Sequence, residues 1–189
     1  MKMSYNGNSM VALKQSRHIN MTNATQTINV LFLCTHNSAR SILAEAVLNA
    51  VGNGRFKAYS AGSSLRDNEV PNPQALQALL SVGIPVDGLY SKTWEAFSGP
   101  DAPHMDLIIT VCDNAAEEEC PVWPGHPATA HWGYADLEGK DGSEQVKLEE
   151  FRKTMYAIKR RLELLCSLPD EKLHQAVLQS SARELATGV

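Results

Sequence analysis

Cys34, Thr35, His36, Asn37, Ser38, Ala39, Arg40 and Ser41 follow one another in this chain, a cysteine and an arginine separated by five residues with a serine directly after them. An ionised cysteine is a nucleophile, and a guanidinium fork binds tetrahedral oxyanions through two parallel N–H bonds. In a chain with four cysteines and eight arginines the spacing alone is a weak signal, so the surrounding pattern must carry it. That pattern is informative. Residues 28–34 are an apolar run of strand formers, and the stretch that begins at Arg40 reads as an amphipathic helix over 40–51. A strand, a short polar loop and a helix N-terminus gather backbone N–H groups and the positive end of the helix dipole around one point. An oxyanion bound by residues 35–41 lies against the Cys34 sulfur. The same donors, joined by the Ser41 hydroxyl, are expected to depress the Cys34 pKa by favouring thiolate over thiol. The chemistry expected is attack by cysteine on a tetrahedral oxyanion.

The rest of the chain has to frame that loop. Residues 56–61 read as a second strand ending at Gly62. Residues 73–82 read as a helix, with Pro73 at its opening and Gly83 just past its end. Residues 106–112 form a third strand, nearly all apolar as a buried parallel strand should be. An acidic helix or loop follows over 113–119, then a short fourth strand over 128–132. Val146, Leu148, Phe151, Met155, Ile158, Leu162 and Leu165 mark one face of a long helix, with Cys166 read as core beside that stripe. Pro169 breaks it, and 171–185 reads as a final helix. Strand–helix alternation predicts an α/β three-layer sandwich with a parallel sheet and right-handed crossovers, without repeats or a second domain.

Composition narrows the function classes. With 189 residues, 43% of them hydrophobic, the chain can bury the core of one domain. Residues 1–27 carry Lys2, Lys14 and Arg17 and no acid, and are rich in Asn, Ser, Thr and Gln. They are expected to be a disordered extension to a domain spanning 28–189. The remainder carries 14 basic and 21 acidic residues, an acidic body that argues against a nucleic-acid partner. No apolar run is long enough to span a membrane and no signal-peptide pattern is visible. Sparse, irregularly spaced cysteines fit a reducing, cytoplasmic setting, where a well-placed thiol is catalytic; the protein is expected to be a monomer. The gap between Cys112 and Cys120 is too long for a structural zinc pair, so neither they nor His104, His126 and His131 are expected to hold a metal.

The segment from Cys34 to Ser41 resembles the phosphate loop of the low-molecular-weight protein tyrosine phosphatases and of the arsenate reductases built on their fold. The similarity extends through Tyr59-Ser-Ala-Gly62, Ile109-Thr-Val-Cys112, Cys120-Pro-Val-Trp-Pro124 and His131-Trp-Gly-Tyr-Ala-Asp136. Thr35 and the segments around Cys112, Cys120 and Trp132 resemble the reductase branch more than the phosphatase branch. The resemblance implies a phosphotyrosine phosphatase I-like fold, a four-stranded sheet in order 2-1-3-4 with the Cys34 loop at the switch point. It further implies that Asp136, in the loop after the fourth strand, protonates the departing oxygen. Leu137 stands where the family usually has a proline. The run Leu137-Glu-Gly-Lys140 supplies no aromatic wall for a phenyl ring, and Glu138 would repel a phosphopeptide. Ala39 departs from relatives with a second loop cysteine. His36 stands where glycine is common and is read as solvent-facing.

Two further cysteines favour reduction over hydrolysis. Cys112 ends the third strand and in a parallel sheet emerges at the same edge as Cys34, while Cys120 follows the acidic segment. Water completes a hydrolase cycle, whereas reduction needs two electrons, which a thiol pair supplies on becoming a disulfide. In the expected cycle Cys34 attacks arsenate held by the loop and Arg40, Asp136 donates a proton, and a second thiol expels arsenite. If that thiol is Cys112, Cys120 carries the disulfide outward to thioredoxin; otherwise glutathione with glutaredoxin resolves the adduct. No bound cofactor is expected, only that external reductant. A phosphatase of the same fold and a non-enzymatic oxyanion or redox-sensing module are the alternatives.

Overall fold

Residues 30–33 are buried on both faces, and so demand a strand at the centre of a covered sheet. That strand is β1 (Ile28–Cys34). In the computed structural model, which describes residues 27–112, 127–137 and 142–173, it pairs in parallel with β2 (Phe56–Gly62) on one side and β3 (Leu107–Thr110) on the other. A short β4 (Ala128–His131) completes the order β2-β1-β3-β4, the order implied by the resemblance. Three helices, α1 (Arg40–Val51), α2 (Pro73–Leu80) and α3 (Glu144–Cys166), and two 3₁₀ turns (Trp94–Phe97 and Asp170–Leu173) account for the remaining elements.

The period-two pleat of β1 divides the core. Val30, Phe32 and Cys34 join the larger cluster, which includes Leu43 and Val47 of α1, Leu79 of α2, and Met155, Ile158 and Leu162 of α3. Leu31 and Leu33 point to the other face, against Ala61, Phe97, Met105 and Ile108. The Cys34 side chain therefore lies on the helix-covered face, at the C-terminal end of the central strand.

Four details differ from expectation. The amphipathic helix expected over 40–51 is instead buried from Ser41 to Leu48, because β1 and β2 lie beneath it and α2 and α3 beside it. Helix α2 stops at Leu80, two residues early, and the chain turns through Gly83 at a φ of 74°. Strand β3 is shorter than 106–112, although the Val111 N–H still donates to the Leu33 carbonyl at 2.8 Å and carries Cys112 to the site edge. Pairing of β4 ends at His131, one residue early, while the Trp132 N–H still bonds the Thr110 carbonyl.

Cys120 and the acidic segment 113–119, the extension through residue 26, and the final helix beyond residue 173 lie outside the described residues. No described helix is long and apolar enough to cross a membrane.

Candidate active site

The loop after β1 is held by its carbonyls. Those of Cys34 and Thr35 accept from the Ser63 and Ser64 N–H groups at 3.0 and 2.9 Å. The Ser38 carbonyl accepts from the Asn72 N–H at 2.8 Å, and the Asn37 carbonyl from the Ser91 hydroxyl at 2.8 Å. In a trans peptide the N–H points opposite to the C=O, so the N–H groups of Thr35, His36, Ser38 and Ala39 face away from those anchors. Helix α1 opens with Ala39, whose side chain cannot cap its first-turn N–H groups. Outward carbonyls and an uncapped helix start make a backbone cradle for an anion. The tight fit needs Gly62, since a Cβ there would lie 2.7 Å from the Thr35 carbonyl oxygen and 3.1 Å from the Asn37 nitrogen.

Asn37 is the hub, in the left-handed region at a φ of 53°, which Asn tolerates better than most side chains. Its orientation is fixed because the Lys92 N–H, which can only donate, meets Oδ1 at 2.8 Å. The Asn37 amide then donates to Ser41 Oγ at 2.9 Å and Ser60 Oγ at 2.8 Å. Each hydroxyl keeps its own proton to direct onward: that of Ser60 goes to the Glu45 carboxylate, and Ser41 Oγ lies 2.9 Å from the Cys34 sulfur, to which it donates when the sulfur is a thiolate. The Asn37 N–H also reaches that sulfur, at 3.1 Å. Lys92 Nζ stands 3.4 Å from Glu45 Oε2, both side chains being about nine-tenths buried. Burial pushes the Glu45 carboxyl up, and Lys92 and the Ser60 hydroxyl pull it partly back.

Around Cys34 the outcome departs from expectation. The donors are present, yet the thiol lies above its ordinary value. Burial is the largest cause; the Ser41 hydroxyl opposes it, the Cys112 sulfur pushes the same way as burial, and the Asn37 and Ser41 backbone N–H groups pull back. The sulfur is enclosed, at 4% exposure for the residue, and desolvation of a thiolate outweighs the hydrogen bonds that favour it.

Cys112 is also buried, at 2%, and its sulfur contacts Thr35 Oγ1 at 3.6 Å, so the two sulfurs share one loop edge as the strand ends predicted. Arg40 and Asp136 come together too. The Arg40 fork donates through Nη1 to the Tyr134 carbonyl at 3.0 Å and pairs through Nη2 with Asp136 Oδ1 at 3.1 Å. The Asp136 side chain is 64% exposed, at the rim of a groove of about 840 Å³ that also borders Ser38, Asn72, Leu137, Lys147 and Phe151.

His36 is half-buried, and Cys166 is half-buried against the core. Among the described residues no group of His, Cys, Asp and Glu side chains could hold a metal ion. Sequence reasoning missed Ser60, Glu45, Lys92 and Tyr134. Glu45, an acid in an otherwise apolar helix stretch, carried the one usable signal.

The family model for the low molecular weight phosphotyrosine protein phosphatases matches residues 29–178. An arsenate reductase of Bacillus subtilis strain 168 is 33% identical over 133 residues, 70% of this chain and 91% of the relative. A solved arsenate reductase in a phosphate-binding state superposes with a TM-score of 0.60 at 27% identity, over 75% of this chain and 98% of the other. A crystal structure of an arsenate reductase from Archaeoglobus fulgidus gives 0.57 at 30% identity, over 74% and 99%.

Proposed function

Because the chain belongs to the low molecular weight phosphotyrosine protein phosphatase family, we propose that it is an arsenate reductase in which Cys34 is the nucleophile and Cys112 its resolving thiol. The observation that carries this reading is the second buried sulfur beside the nucleophile, with Thr35 bridging toward it. A hydrolase of this fold needs only one. The arsenate reductases among its relatives support the same choice.

Each residue then has a task. The N–H groups of Thr35, His36, Ser38, Ala39 and Arg40, with the Arg40 fork, bind the oxyanion, while those of Asn37 and Ser41 point at the Cys34 sulfur. The Cys34 thiolate, stabilised by the Ser41 hydroxyl, attacks arsenic. An S–As bond forms and an As–O bond breaks, the oxygen leaving as water with a proton from Asp136. Cys112 thiolate then attacks the Cys34 sulfur. An S–S bond forms, the S–As bond breaks and its electron pair stays on arsenic, so As(V) leaves as arsenite, As(III). Cys120 in turn attacks Cys112, releasing Cys34, and thioredoxin reduces the resulting disulfide. Glutathione with glutaredoxin would serve instead if an external thiol resolved Cys34. The protein needs no bound cofactor in this cycle.

The test is arsenite formation coupled to thioredoxin and its reductase, followed by mapping the disulfide of protein trapped after one turnover. A Cys112–Cys120 bond and loss of turnover in Cys34→Ser are expected. Arsenite formation that survives Cys34→Ser sinks the proposal, as does phosphate-ester hydrolysis without any arsenite.

A further inference from the structure

Helix α3 buries a cation where an apolar side chain would fit. Arg161 is 8% exposed on the same helix face as Ile158, Leu162 and Leu165, and its Nη1 has no hydrogen-bond partner. Among the described residues its guanidinium has no carboxylate partner. It stands instead over the Tyr134 ring, with Cζ 4.9 Å from the ring centroid. Placing an arginine there costs desolvation that a methionine or leucine would avoid, so its presence calls for a reason. The Tyr134 hydroxyl is buried without a well-formed hydrogen bond as well. Burial pushes that phenol up while Arg161 pulls it back, consistent with the guanidinium lying along the ring toward the hydroxyl.

Tyr134 supplies the reason through its backbone. Its carbonyl receives Arg40 Nη1, and two residues on Asp136 receives Arg40 Nη2. Where the ring sits therefore decides where the carbonyl sits, and so where the oxyanion fork points. We infer that Arg161 is a positioning residue for the oxyanion site: its guanidinium holds the Tyr134 ring, the Tyr134 carbonyl holds Arg40, and Arg40 is pre-aimed together with Asp136. This deepens the proposed function, on which it rests for the identity of the substrate, but the linkage is in oxyanion binding itself. A buried cation suits the task because its attraction to the ring face is directional, unlike simple apolar contact.

Binding of inorganic phosphate by the full chain, measured by calorimetry, tests the linkage without turnover. Arg161→Met keeps the apolar volume and should weaken phosphate by about tenfold, the scale of one misaligned charged hydrogen bond. Arg161→Lys keeps a cation over the ring and should lose no more than about threefold. In a Tyr134→Leu background, where the ring is already gone, Arg161→Met should add less than about twofold, because coupled residues are not additive. A purely structural arginine would lower the melting temperature and leave these ratios at one, or cost the same factor in both backgrounds; either result overturns the inference. If Arg161→Met fails to fold, Tyr134→Phe against Tyr134→Leu decides. The ring-keeping variant should bind within about twofold of the unsubstituted protein and the other about tenfold more weakly. Equal binding by the two refutes the linkage. Arsenite formation by the unsubstituted protein is scored separately. Coupled phosphate binding without arsenite would sink the reductase reading and leave the positioning role intact.

Discussion

Replacing Ser41 by alanine removes the hydroxyl whose oxygen lies 2.9 Å from the Cys34 sulfur and leaves the Asn37 N–H, at 3.1 Å, in place. A hydrogen bond to a charged group contributes about 1.5–3 kcal/mol. One pKa unit is worth about 1.4 kcal/mol, so the Cys34 pKa should rise by about one to two units. The lower end is the better expectation, because the Asn37 amide that loses Ser41 Oγ retains Ser60 Oγ at 2.8 Å and keeps the loop in place. Cys34 is already above its ordinary value through burial, so the change deepens an existing shift. The assay is the rate of alkylation of Cys34 by iodoacetamide against pH, with Cys112, Cys120 and Cys166 replaced by serine in both proteins. Well below the midpoint the variant should react about threefold more slowly, because the roughly tenfold smaller thiolate fraction is about half offset, on a logarithmic scale, by the greater nucleophilicity of a more basic thiolate. The linkage has a definite sign. A thiol whose pKa is raised by folding contributes stability at low pH, and that contribution is lost as pH rises from the unfolded toward the folded value. Ser41→Ala should therefore unfold more readily in alkali than the unsubstituted protein. A midpoint that stays put, or falls, would mean that the hydroxyl does not donate to the sulfur, and the polarity assigned to the whole Asn37 network would be wrong.

Two further outcomes follow from the same site. Cys112→Ser removes a group that pushes the Cys34 pKa up, so the midpoint of Cys34 alkylation against pH should fall, even as arsenite formation through the internal disulfide stops. A midpoint that stays put or rises would show that the two sulfurs do not sense one another. For the buried pair, Lys92→Met and Glu45→Gln should each cost about 3 kcal/mol in urea unfolding, because each strands a polar partner, while the double replacement should come back to within about 1 kcal/mol of the original. Single variants as stable as the parent would mean that water reaches the pair.

Some of this was legible from residue order and some was not, for identifiable reasons. The loop between β1 and α1 could be read because strand, polar turn and helix start are each local patterns. The 2-1-3-4 sheet order came from resemblance and could not have come from periodicity, since a short strand such as β4 carries little pattern of its own. Arg40 and Asp136 were expected at one site and meet there, but the Tyr134 carbonyl that orients the fork is a backbone group and leaves no mark in residue type. Lys92 and Glu45 are 47 positions apart, and a single buried ion pair has no period to detect. The direction of the Cys34 shift was misjudged because donors can be counted from the loop sequence, whereas desolvation depends on how completely helices and neighbouring loops close over it.

A buried sulfur whose pKa is pushed up by desolvation is compatible with nucleophilic catalysis. Raising a thiol's pKa lowers the fraction ionised, but intrinsic nucleophilicity rises with pKa at a Brønsted slope of about 0.4–0.5, so about half of the loss on a logarithmic scale is returned by each thiolate that does form. Enclosure changes who can collect that reactivity. At 4% exposure, Cys34 is shielded from bulky oxidants and electrophiles, and in the proposed cycle the substrate would reach it through the backbone cradle. Cys112 is buried too, at 2% exposure, so in the proposed cycle the thiol that acts second is held beside the first and need not diffuse in. Under the proposed function, the burial that penalises the thiolate would also narrow which molecules reach it and keep the second sulfur at hand, which an exposed cysteine with a depressed pKa would not do.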